Sequence, residues 1–230
     1  MRSFFVAVLL ALSLLALNGC QSKNPLPKDA VPSVSSGEEE KKEIEVIGAV
    51  REEADFISEE QWALYDKART YAGCFVQDPG SLGGQEGSSS LITKEIGGYT
   101  YRRYTGDAYK SWDDFYKEMR MVFTEDCFQE LNAVQIHAEK PKAEIYINVS
   151  GELYYLDFNS GGNPTYLKDM DRFVLTLSEE TCLKFNQVAY FCDREDVGKE
   201  APAPKSMKEE PVTMVKTADG WRVSEFSLPR

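Results

Sequence analysis

From Ala143 to the C-terminus the chain falls into short runs that alternate apolar and polar residues, and this constrains the fold more than any other feature. "AEIYINVSGELYYLDF" reads as two strands hinged at Ser150-Gly151. "RFVLTL" and "CLKFNQVAYFC" alternate with period two and are separated by "SEET". "VGKEAPAPKSMKEEP" reads as a polar, proline-bearing loop, and "VTMVKTADGWRVSEFSL" as a last hairpin turned at Asp219-Gly220. A period of two puts alternate side chains on one face, so each strand needs a second layer to cover its apolar side.

That layer is supplied upstream. Ser58 is a strong N-cap, with Gln61 at the capping-box position and Ile57 placed to staple onto Trp62. Trp62, Tyr65, Ala68, Ala72 and Phe75 then recur at helical spacing. Ser111 caps a second helix with Asp113 and Asp114 in its first turn and an apolar stripe of Trp112, Phe115, Met119 and Val122. Thr124 caps a shorter third helix in which Cys127, Phe128 and Leu131 face inward. Between the first and second helices, Gln77 to Ser90 is a loop rich in glycine and serine, and "GGYTYRRYTG" reads as a strand or extended arm. Helices followed by antiparallel strands define an α+β domain, with N-terminal helices packed on a curved antiparallel sheet.

The N-terminus has a separate logic. One basic residue, Arg2, precedes an apolar run of about 14 residues, shorter than the ~20 a spanning helix needs. The run ends in Leu17-Asn18-Gly19-Cys20, which resembles the bacterial lipobox apart from the less usual Asn18. The resemblance implies that residues 1–19 are a lipoprotein signal peptide and that Cys20 is acylated and becomes the first mature residue. The mature chain would then be an extracytoplasmic protein held on the bacterial cell membrane, with two acyl chains giving stable anchorage where one gives only marginal binding. Residues 20–55, which include "SKNPLPKDAVPSVSSGEEEKKEIE", read as an acidic disordered tether that spans roughly 30–35 Å as a coil. The folded domain is expected over residues 56–230.

Charge narrows the partners. Removing residues 1–19 takes away one base and no acid, so the formal charge moves from −12 to −13. This argues against nucleic acid, which requires clustered lysine and arginine. Beyond Cys20 the chain has four cysteines, Cys74, Cys127, Cys182 and Cys192. Their spacing matches no zinc pattern, and an even count outside the cytoplasm suggests two disulfides of open pairing. A Cys182–Cys192 bond is possible only if the segment between them doubles back, because one extended strand of that length separates its ends by about 33 Å.

Catalytic chemistry is sparse, and no cofactor, metal site or enzymatic activity is expected. The only histidine is His137, in "VQIHAEK", and the common serine-nucleophile and two-histidine metal motifs are absent. Carboxylates such as Glu125, Asp126, Glu152, Asp157, Asp169, Asp171, Glu179 and Glu180 read as caps, turns and solvated faces. "DFNSGGNP" lacks the spaced acids of a calcium loop, and Asn148-Val149-Ser150 reads as a turn. The many tyrosines divide between core and a binding surface, for which Tyr154, Asp157, Asn159, Asn163 and Tyr166 are the candidates.

The helical pair followed by a meander ending in "VKTADGWRVSEF" resembles the cone-shaped NTF2-like superfamily. Within it, "YKSWDDFYKEMRMVFTEDCFQEL", "YINVSGELYYLDFNSGG" and "VTMVKTADGWRVSEF" resemble the bacterial cell-wall D,L-endopeptidase inhibitor (IseA-like) proteins. The resemblance implies a non-enzymatic protein that inhibits or docks on peptidoglycan hydrolases of the NlpC/P60 type. The four cysteines and the lipid anchor are departures from that family. The alternative expectation is an NTF2-like lipoprotein that binds a small ligand: a deep aromatic-lined cavity would favour it, and a filled interior would favour the inhibitor.

Overall fold

The computed structural model describes residues 44–84, 92–158 and 161–229, so the lipobox with Cys20, most of the tether, and Asn159 lie outside the described residues. The first helix, α1 (Glu59–Val76), is fixed by the expected capping box: Gln61 N donates to Ser58 Oγ (3.3 Å) and Ser58 N donates to Gln61 Oε1 (2.9 Å). A 3₁₀ turn over Pro79–Gly84 follows. Two strands, β1 (Thr93–Ile96) and β2 (Tyr99–Arg103), form a hairpin turned at Gly97-Gly98. Both glycines have positive φ (61° and 79°), which a two-residue hairpin turn of this kind requires. The expected strand or extended arm is thus the second strand of a hairpin, and polar "TKEI" pairs with it through its backbone although all four residues are exposed.

Ser111 caps α2 (Trp112–Val122) and Thr124 caps α3 (Glu125–Leu131), each side-chain oxygen accepting a backbone N–H three residues on. Short strands β3 (Ala133–Val134) and β4 (Ala143–Glu144) pair with each other. Then come β5 (Tyr146–Val149) and β6 (Glu152–Leu156), joined at Ser150-Gly151, both with positive φ. The last four strands are β7 (Arg172–Glu179), β8 (Cys182–Phe191), β9 (Ser206–Thr217) and β10 (Gly220–Phe226). The final turn centres on Ala218-Asp219, since Thr217 faces Gly220.

The domain is α+β, and its strands divide between two four-stranded antiparallel sheets, ordered β1-β2-β6-β5 and β10-β9-β8-β7. One helix serves both. Tyr65, near the start of α1, has its ring within 5.7–6.0 Å of Phe173, Phe185 and Phe226 of the larger sheet. Phe75, near the end of α1, meets Tyr146 of the smaller sheet at 5.0 Å, where Phe115 of α2 also packs at 4.9 Å. Ala68 and Ala72, both fully buried, let the helix backbone approach closely between these contacts. The smaller sheet is buried on both faces: Leu153 and Tyr155 join the main core, while Tyr154 and Leu156 join Tyr99 and Tyr101 in a second cluster.

Three expectations need correction. The folded body begins upstream of residue 56: Ala49 pairs with Phe173, Ile47 N donates to the Tyr190 hydroxyl at 2.8 Å, and Ala54 is buried. Next, "SMKEEP" is not loop but the first half of β9, drawn into register by ten consecutive pairs with β8. Pro211 is tolerated there because β10 has already ended, its last partner being Val212. Finally, the two disulfides are not present: Cys74, Cys127, Cys182 and Cys192 are all free thiols. Cys182 opens the unbroken strand β8 and Cys192 directly follows its last residue, while Cys74 and Cys127 lie in separate helices, α1 and α3. Burial pushes the Cys74 thiol up, and with Glu130 and Glu225 nearby the Cys127 thiol is pushed up to about 12.

Candidate functional site

The sequence-picked surface residues separate. Tyr154 is 1% exposed and packs in the second core cluster, so it offers no contact surface. Asp157 is exposed, but its carboxylate is paired with the Arg102 guanidinium at 2.8 Å. Asn163 and Tyr166 do come together. The Asn163 side-chain oxygen accepts from Thr165 N (3.0 Å) and Thr165 Oγ1 (2.7 Å), which closes a tight local turn. The residues after it are pinned to the end of β8: Cys192 N donates to Thr165 O and Leu167 N donates to Tyr190 O.

Beneath this turn lies a polar network. The Tyr166 hydroxyl donates to the Asp171 carboxylate (2.6 Å) and accepts from Arg69 (2.5 Å) and from the Gln187 side-chain amide (3.0 Å). Gln187 also donates to Asp171 at 2.8 Å and accepts from the Tyr65 hydroxyl at 2.7 Å. Arg69 pairs with Asp171 at 3.1 Å. Tyr65 and Arg69 are one helical turn apart on α1, so the same face that buries an aromatic ring delivers a guanidinium to the edge of the core. Burial outweighs these contacts and holds the Asp171 carboxyl above its ordinary value, while burial is also the main cause that raises the Tyr65 and Tyr166 hydroxyls.

Above the network is a groove of about 400 Å³. Its walls carry Arg69 and Thr70 from α1, Gln77 just past its end, Asn163 and Lys168 from the pinned segment, and Leu228. Two cations, Arg69 and Lys168, and two amides, Gln77 and Asn163, lining one groove suit a ligand or partner that presents carboxylates or carbonyls. A second cavity, about 510 Å³, shares Leu228 with it and opens between the ends of α1 and α3 and the strands β9 and β10.

Sequence reasoning missed Arg69 and Gln187, and its reading of Asp171 as a cap, turn or solvated carboxylate is corrected by the network that holds it. The signal for Gln187 was available: it shares strand parity with Leu183 and Phe185, so a polar side chain points inward among apolar ones. Asp171 and Arg69 carry no comparable mark. His137 is exposed and stacks on the Tyr99 ring (6.0 Å, planes 18° apart), outside the walls of both cavities. Among the described residues no cluster of three or more His, Cys, Asp or Glu is arranged to hold a metal ion. No protein-family model matches the chain, and no curated protein matches it.

Proposed function

We propose that this chain is a lipid-anchored extracytoplasmic binding protein, with an NTF2-like cone, that docks on and restrains a peptidoglycan D,L-endopeptidase of the NlpC/P60 type. In this reading Cys20 carries the acyl chains and the tether sets the working distance from the bilayer. The observation that carries the reading is how the interior is spent. Tyr65, Tyr146, Tyr154 and Tyr190 are each at most 1% exposed and pack in the core rather than line either cavity, which supports docking through the exterior. The exterior element best prepared for it is the segment from Asn163 to Lys168, whose geometry is imposed by the Tyr166–Asp171–Arg69 network rather than by a partner. Such peptidases cut stem peptides that bear carboxylates; in this reading the acidic body outside the groove is a like-charged mimic of that substrate, while Arg69 and Lys168 in the groove take carbonyls or carboxylates of the enzyme. The Cys74 and Cys127 thiols, buried and with raised pKa, are poorly nucleophilic, which suits these two free cysteines to an exported protein.

The test adds the purified full-length protein to a D,L-endopeptidase digesting peptidoglycan and follows muropeptide release. Slowing that saturates with added protein, and that weakens when Asn163→Arg and Lys168→Glu are introduced together, supports the reading. Unchanged release at any excess over the enzyme removes it. A second reading, binding of a small ligand, is favoured by one feature, the 510 Å³ cavity.

A further inference from the structure

The cavity between the ends of α1 and α3 and the strands β9 and β10 has a wall unlike the rest of the core. Phe75, Leu131, Val134, Ile145, Phe158 and Phe226 give it an apolar side, which faces polar groups from α3 and β9. Its volume of about 510 Å³ falls in the range of small-molecule sites, roughly 300–1,000 Å³. Into this lining β9 sends Glu210. The parity of β9 dictates that direction: residues 208, 210, 212 and 214 share a face, and Val212 and Met214 on it are fully buried. Glu210 is 4% exposed, and its Oε1 is buried without a hydrogen-bond partner. The Lys208 ammonium lies 2.7 Å from that oxygen but off the directions a hydrogen bond requires, so it supplies charge without a directed bond. Lys208 itself is half in solvent, 54% exposed, on a flexible stem. A buried carboxylate oxygen that accepts no hydrogen bond is costly to keep and is rare in folded proteins.

We infer that this cavity binds a small amphiphilic cation: an apolar body of a few carbons carrying one primary ammonium, which donates to Glu210 Oε1 in place of Lys208. The apolar side takes the body and removes part of its surface from water, and the ammonium supplies the directed donors the carboxylate lacks. Lys208 swings to solvent, which its exposure already permits. A carboxylate ligand is excluded, because it would meet Glu210, and Glu130 also borders the cavity. The inference rests on the small-ligand reading and names its chemistry.

The probe is hexylamine, compared with hexanol and hexanoate, titrated into the full-length protein by calorimetry and located by amide shifts in NMR. Hexylamine is expected to bind, to shift amides of Leu131, Val134 and Phe226, and to bind at least about tenfold more tightly than hexanol, the worth of one charge-assisted hydrogen bond. Hexanoate is expected not to bind. Glu210→Gln removes the preference of amine over alcohol, and Lys208→Gln strengthens amine binding. Should Glu210→Gln fail to fold, Lys208→Gln decides through its opposite sign. Equal binding of amine and alcohol, shifts confined to other parts of the surface, or a Lys208→Gln variant with unchanged amine affinity overturns the inference. None of these outcomes touches muropeptide release, so the two readings fail separately.

Discussion

The groove over Tyr166 and the cavity beside Glu210 share Leu228 and the last turns of α1, yet each treats a buried carboxylate differently. Asp171 receives hydrogen bonds from Tyr166 and Gln187 and pairs with Arg69. Glu210 has a nearby charge and, at Oε1, no hydrogen bond. A fully connected network fixes its surroundings, because every member loses a partner if any one moves. A carboxylate with an open oxygen fixes nothing and is available to a ligand. The two sites therefore teach the same rule in opposite senses: saturation of hydrogen bonds builds scaffold, and its absence marks a place for an external donor.

The largest expected effect breaks the scaffold. Arg69→Ala removes the cation paired with the buried Asp171 carboxylate and one of the two donors to the Tyr166 hydroxyl, and should cost about 3–5 kcal/mol of stability, read as a fall in the urea midpoint. Glu210→Gln should move stability by no more than about 1 kcal/mol in either direction, since little is bonded to it. Equal losses in the two variants would erase the distinction. Next in size is Tyr65→Phe, which strands the inward oxygen of Gln187 and should cost about 1–3 kcal/mol.

The difference can be sharpened with pH. The Asp171 carboxyl is held above its ordinary value of 3.8, mainly by burial, so the folded state takes up this proton before the unfolded state does. The stability it contributes is fully present below 3.8 and is lost as pH rises through the higher folded value. Glu118 moves the opposite way, held below its ordinary value first by its hydrogen bond with Lys67, so its contribution is present above that value and is lost on acidification. Measured against Asp171→Asn, which cannot titrate, the wild-type chain should gain relative stability as pH is lowered from neutrality toward 4. A constant difference between the two chains would mean that Asp171 titrates alike folded and unfolded.

Much of the fold was written in local pattern, and the losses have physical causes. Ser58, Ser111 and Thr124 announced three helix starts because capping is decided by a few neighbouring residues. The Ser150-Gly151 turn was equally local. "TKEI" and "SMKEEP" escaped because their strands are held by partners across the sheet rather than by an apolar face, and polar composition hides such pairing. Tyr154 looked like surface because the alternation assumes one solvent-facing side, whereas the smaller sheet has cover on both. Arg69 and Asp171 are 102 residues apart in sequence, and nothing short of the tertiary fold brings them together.

The smallest expected effect concerns the cysteines, where the two regions also differ. With all four thiols free, reductant should leave the melting temperature unchanged, and a non-reducing peptide map should contain no cross-linked pair. Native alkylation with iodoacetamide at pH 8 should then follow burial. Cys182, at the partly exposed start of β8, should react first. Cys74, beside the groove end of α1 and hydrogen-bonded to the Thr70 carbonyl, should wait for local opening of that helix. Cys127, with its thiol pushed up to about 12 by burial and by Glu130 and Glu225, should wait for unfolding of the core around Phe128. Arg69→Ala should hasten Cys74 more than Cys127, because the network it breaks clamps the same helix that carries Cys74. If both cysteines were hastened equally, the network and the core would be opening as one unit, and the groove would owe its shape to the whole domain rather than to Arg69 and its partners.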